Sequence, residues 1–257
     1  MPLKDYSITS PEVLIEAKAR FSELSLDDCA VPKIIVVAMG SELQKLAELT
    51  GASEVDWVFS TMYMTKIKGM DIGMIPLSNA SMAPRMAFMM ENLIACGAEI
   101  VLLSGALGAF QSNMKIGDFV IPSKAVIGEG TSKYYFPKKK VIKTDPEIVK
   151  TLQEACKIIG AKPFVGPVWT TDAFFREMRS IVGKLQSQGV YGVEMETSAM
   201  CTVAKFKGIK AGSLLTVSDH LASFKWEQHF WSEKYRKIAL ETSPKIIIEA
   251  LKLLAKI

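Results

Sequence analysis

Three short runs limit what this chain can fold into: Lys33–Ala38, Glu99–Ser104 and Leu214–His220. The first is apolar at every position after its lysine, so it has no face to offer water. A strand of that kind is covered on both sides, which is the habit of parallel sheets with helices above and below. Between Gly192-Val193-Glu194-Met195-Glu196 and the third run, Thr197 to Gly208 reads as one helix, with Met200, Val203, Ala204 and Phe206 at its apolar positions and Gly208 as its stop. Strand, helix, strand is the unit that builds a parallel sheet, and ligands collect at the carboxyl ends of such strands. Glu196 and Asp219 both fall near that edge.

The other elements fit this plan. Ser10-Pro11-Glu12 starts an amphipathic helix in a leader spanning residues 1–30. Met39-Gly40-Ser41-Glu42 turns the first strand into a short helix, Leu43 to Leu49, and a glycine turn of that kind offers backbone N–H groups to an anion. Trp57 to Met74 reads as a strand pair around Lys68-Gly69. A helix begins near Ala83-Pro84-Arg85, and its methionines are core filler. The strand Glu99–Ser104 opens into Gly105-Ala106-Leu107-Gly108-Ala109. Asp118–Val126 and Phe164–Thr171 are further strands, and Thr144-Asp145-Pro146-Glu147 caps a helix running to Gly160. An aromatic loop, Phe224–Trp231, precedes the last helices. Nothing in composition divides the chain, so residues 1–257 are read as a single α/β domain.

Composition excludes several classes. With 49% hydrophobic and 23% charged residues, the chain has the makings of a soluble, well-cored protein. No apolar run is long enough to cross a bilayer, and the opening Met1–Asp5 lacks a secretory pattern, so a cytoplasmic location is expected. A net charge of +4 with one dense run, Lys138–Lys140, gives no nucleic-acid signature. Four scattered cysteines and two histidines offer no metal site. The GxGxxG turn of a dinucleotide domain is missing.

Taken together, Ser104–Ala109, Lys115–Val120, Gly192–Glu196 and Thr216-Val217-Ser218-Asp219-His220 resemble the purine nucleoside phosphorylase and uridine phosphorylase superfamily, which also holds the methylthioadenosine/adenosylhomocysteine-type nucleosidases. Glu129-Gly130-Thr131-Ser132 is similar to the uridine phosphorylase branch. The resemblance, over roughly residues 33–255, implies a three-layer α/β/α fold around a twisted, mostly parallel, partly barrel-like mixed sheet. It implies dimers assembling to a hexamer, no cofactor, and phosphate as co-substrate.

It also implies roles. Asp219, beside Ser218, is the acid that protonates the leaving purine, since breaking a C–N glycosidic bond leaves charge on the base. Glu196 accepts from the ribose hydroxyls, for which one carboxylate offers two oxygens. Met195 lies against the sugar, Glu194 and Val193 flank the base, Phe174 stacks on it, and Gly108 and Ala106 border the pocket. Glu194 and Phe174 have plainer readings as well: an acid in a first helical turn and a core ring. Gly40, Ser41, Gln44 and Arg85 form the nucleophile side. The arginines that hold phosphate in such phosphorylases fall here on Gln44, Val58 and Leu103, so hydrolysis by water is the alternative. The family's hydrolases carry a glutamate in the first loop, and Glu42 stands two places before Gln44. A uridine-type phosphorylase, or a nucleoside-binding homologue without turnover, completes the alternatives.

Overall fold

The structure is a computed structural model and describes residues 9–21 and 29–255. Helix α1 (Pro11–Phe21) starts where expected, with Ser10 Oγ accepting from Val13 N at 3.2 Å. The rest of the expected leader lies mostly outside the described residues.

Strand β1 (Ile34–Ala38) bears out the reasoning from its apolar run, since all five residues are buried. Its side chains alternate between two cores. Ile35 and Val37 join the cluster holding Met86, Met90 and Met200, whereas Ile34, Val36 and Ala38 join the one holding Leu46, Leu152 and Ile246. Each fully buried aliphatic side chain contributes about 1.5–3 kcal/mol relative to exposure. A polar residue in β1 would therefore face one of two dry layers.

After β1 come α2 (Gly40–Thr50), the antiparallel strands β2 (Ser53–Trp57), β3 (Ser60–Ile67) and β4 (Met70–Pro76), and α3 (Ala83–Ala95). The turn between β3 and β4 is the expected Lys68-Gly69, both at positive φ (51° and 82°), as a two-residue hairpin with native twist requires. Strand β2 was not foreseen. Its pattern is exposed except at Trp57, so it carries no apolar signal.

Next are β5 (Ile100–Ala109), β6 (Phe119–Gly128), β7 (Val141–Lys143), α4 (Pro146–Ile159) and β8 (Phe164–Thr171). Asp145 caps α4 by accepting from the amides of Glu147 and Ile148 at 2.9 and 3.2 Å, and Gly160 ends it in the left-handed region. Strand β5 runs further than the expected Glu99–Ser104, since Gly105–Ala109 continues it. The remaining elements are α5 (Arg179–Ser187), β9 (Gly192–Glu194), α6 (Thr197–Lys207), β10 (Lys210–His220), β11 (Glu227–Gln228), α7 (Glu233–Glu241) and α8 (Ser243–Leu254).

The sheet is mixed and partly closed. Strands β5, β10, β6, β8 and β9 pair in a ring, since β9 returns to β5, and β1, β4, β3 and β2 continue outward from β5 as an open wing. Strands β1 and β10 flank β5, both parallel to it. Among the described residues no helix is long and apolar enough to cross a membrane.

Candidate active site

The site is built along one face of β5. Residues 104, 106 and 108 point the same way, because side chains alternate along a strand. Within Val101–Ala109 only Ala106 is not buried, so the sheet opens above it. Ser104 Oγ donates to Glu42 at 2.7 Å. Gly108 lies under Asp219: a Cβ there would stand 3.0 Å from Asp219 Oδ2 and 3.2 Å from Val193. The row thus runs from one buried carboxyl to another, a span of ~13 Å at the usual rise of a strand.

A bulge aims Asp219. Strand β10 pairs Val217 with Leu107 and then Asp219 with Gly108, leaving Ser218 as an extra residue. Without it, alternation would put Ser218 on the face of Gly108 and turn Asp219 away. Asp219 is 4% exposed, its Oδ1 accepts from Ser218 Oγ at 2.6 Å, and its Oδ2 accepts from Trp226 Nε1 at 2.8 Å. Burial raises the Asp219 pKa against these two hydrogen bonds, which lower it. Glu177 stands close enough to be felt. Its own pKa is pushed up to about 7, first by burial and then by the Asp219 charge.

Glu196 sits three residues beyond Val193, which pairs with Gly108, at the N-terminal end of α6. Its Oε1 accepts from Met82 N at 2.7 Å and its Oε2 from Met195 N at 3.3 Å. Burial, followed by the neighbouring Glu194, pushes its pKa up to about 7. Met82 holds φ 67°, ψ 152°, a conformation that costs a side-chain-bearing residue about 1–3 kcal/mol. The charge-assisted bond to Glu196 is among the contacts that hold it.

Glu194 does something else. Its carboxylate accepts from Thr170 Oγ1, from Glu196 N at 2.9 Å and from Thr197 N at 2.6 Å, which ties it to the start of α6. That is the plainer of its two readings, and it leaves the side chain supporting Glu196 from behind. Burial raises its pKa. Glu129, from the loop similar to uridine phosphorylases, is also a brace: it accepts from Thr131 N, Ser132 N and Ser198 Oγ.

A cavity of about 870 Å³ opens at this edge, its lining including Met39, Glu42, Phe174, Trp226, Tyr235 and Arg236. Phe174 follows β8 and meets Trp226 edge to face at 5.6 Å. Neither Asp219 nor Glu196 lines the cavity; Trp226 stands over the former. On the nucleophile side, Gly40 and Ser41 are exposed at the start of α2. Gln44 is exposed and does not line the cavity, whereas Glu42, two residues earlier and so on the opposite side of α2, is 4% exposed and does. Burial pushes the Glu42 pKa up to about 7, opposed by Ser104 and Ser243. Arg85 is exposed in the first turn of α3, its Nε donating to Asn79 O at 3.2 Å.

Glu177 and Trp226 were missed from sequence. Glu177 is a lone acid in a connecting segment and gave no signal. The aromatic loop was visible, but which ring meets Asp219 depends on the fold. Among the described residues no group of three potential ligands is placed to hold a metal ion.

Comparison with known proteins agrees with this fold. The chain matches the Phosphorylase superfamily over residues 32–252. It is 30% identical to a uridine phosphorylase of Thermococcus kodakarensis over 215 residues, 77% of this chain and 72% of that one. It is 31% identical to a guanosine phosphorylase of Halorubrum lacusprofundi over 140 residues, 54% of this chain and 58% of the relative. A purine nucleoside phosphorylase (DeoD-type) of Bacillus cereus is 34% identical over 140 residues, 54% and 60% of the two chains. The match thus spans less than two thirds of the last two relatives.

Proposed function

The chain belongs to the phosphorylase superfamily, and from that premise we propose that it cleaves the N-glycosidic bond of a purine nucleoside by phosphorolysis, as one nucleoside phosphorylase-like domain. The observation that carries the reading is the pair of buried carboxyls, Asp219 over Gly108 and Glu196 beyond Val193, at one sheet edge. Glu196, once ionised, accepts from the ribose 2′- and 3′-hydroxyls and fixes the sugar above the Ala106 opening. Asp219, protonated, gives its proton to a ring nitrogen of the departing base. The C–N electrons leave with the base, and the oxocarbenium-like sugar is captured on its other side by phosphate. Phe174 supplies an aromatic face for the base. The acid at 219 favours a purine, whose ring nitrogen takes the proton directly. Assembly from dimers into a hexamer follows the resemblance, and a cytoplasmic location follows the composition.

A second reading is supported by Glu42. Phosphate, a dianion, asks for charge-assisted donors; Arg236 lines the cavity, but its α2 end carries a buried carboxyl. A carboxylate there suits a general base that takes a proton from water, which would make the reaction hydrolysis. Assaying guanosine, adenosine and uridine with and without phosphate separates the two. Ribose 1-phosphate formed only when phosphate is present upholds phosphorolysis. Free ribose at the same rate in phosphate-free buffer overturns it in favour of hydrolysis.

A further inference from the structure

Asp219 is engaged at both oxygens. Ser218 Oγ donates to Oδ1 from within the bulge, and Trp226 Nε1 donates to Oδ2, the oxygen above Gly108. A carboxyl that is to hand over a proton from Oδ2 cannot at the same time accept an indole N–H along that direction. The segment bearing the indole is lightly held. Trp226 is 51% exposed, and its ring contact is the edge of Phe174. Strand β11 is two residues long. Phe224 sits at φ 57°, a left-handed conformation unusual for an aromatic residue, with the Arg179 guanidinium 5.3 Å from its ring. Short pairing, exposed side chains and local strain mark a segment that opens at low cost.

We infer that Trp226 is a latch on Asp219: its indole competes with the nucleobase for Oδ2, and residues 223–231 carry the ring aside when a base enters. The inference rests on Asp219 being the acid. With the latch closed, the carboxylate is an acceptor at both oxygens and is shielded from the cavity. With the latch open, Oδ2 takes a proton from solvent and presents it to the base nitrogen. The indole exchanges one hydrogen bond for another with water, since its site is half exposed, so the exchange is reversible. Trp226 is thus a positioning residue that sets how tightly bases bind.

The test is Trp226→Phe, which keeps a ring beside Phe174 and removes the N–H, with Trp226→Leu as a second variant. Guanine and adenine are the probes, with guanosine and adenosine as substrates. Removing a competing bond to a charged group predicts base Kd and nucleoside KM about tenfold lower, with kcat largely kept. The change in tryptophan fluorescence on base binding should vanish in Trp226→Phe and persist in Trp231→Phe. Unchanged or weaker base affinity in both Trp226 variants, with native circular dichroism, overturns the latch. Asp219→Asn separates the two levels. If it turns over like the wild type, the acid assignment itself fails; if it is inactive while Trp226→Phe behaves as the wild type, only the latch fails.

Discussion

Glu42→Gln probes the burial of the carboxyl at the start of α2. Glu42 is 4% exposed, accepts from Ser104 Oγ at 2.7 Å, and has its pKa pushed from 4.5 to about 7, chiefly by loss of water. The folded protein therefore holds this proton more tightly than the unfolded chain does. The stability that this contributes is complete below pH 4.5 and is lost as pH rises through about 7. At ~1.4 kcal/mol per pH unit, moving from 4.5 to about 7 is worth about 3 kcal/mol. For a chain of this size that is on the order of 5–10 °C in Tm. Glutamine has the same shape and stays neutral, so the variant lacks this loss. Thermal unfolding followed between pH 4.5 and 8 should show the wild type falling relative to Glu42→Gln, with the gap growing up to about pH 7.5 and level beyond. Glu196 and Glu177, also raised, leave a residual slope common to both proteins. Parallel curves for the two proteins would refute the claim that Glu42 is buried with a raised pKa.

Asp219→Asn keeps the hydrogen-bonding shape but has no proton to give, so purine nucleoside turnover should fall about a hundredfold or more with base binding largely kept; initial rates and base titration check both. Glu196→Gln should raise KM for ribosides more than for 2′-deoxy analogues. In the wild type, riboside KM should fall as pH rises from 6 to 8, because Glu196 ionises near 7 and only its charged form accepts from both hydroxyls. Gly108→Ala places a methyl group 2.7 Å from Leu221 and 3.0 Å from Asp219 Oδ2; it should lower kcat/KM severely at a cost in Tm smaller than that of a core cavity, as paired rate and melting measurements would show.

The apolar runs at residues 34–38, 100–104 and 214–217 pointed by themselves to a sheet buried on both faces, because apolar side chains fall on both of their alternating faces. Caps and stops did the same for α4 and α6, since Asp145, Gly160 and Gly208 act on neighbouring backbone. These are local effects, and a sequence displays local effects directly. The tertiary structure alone decided what the polar residues do. Glu194 and Glu196 differ by two positions, yet one carboxyl is consumed by Thr170 and helix amides while the other meets Met82 from a distant loop. Glu42 rather than Gln44 enters the cavity because of the side of α2 that packs inward. Asp219 faces Gly108 only because one extra residue is accommodated at Ser218, a choice made by the register of β10 against β5. Register and helix rotation depend on partners remote in the chain, which is why the direction each carboxyl faces is decided in three dimensions.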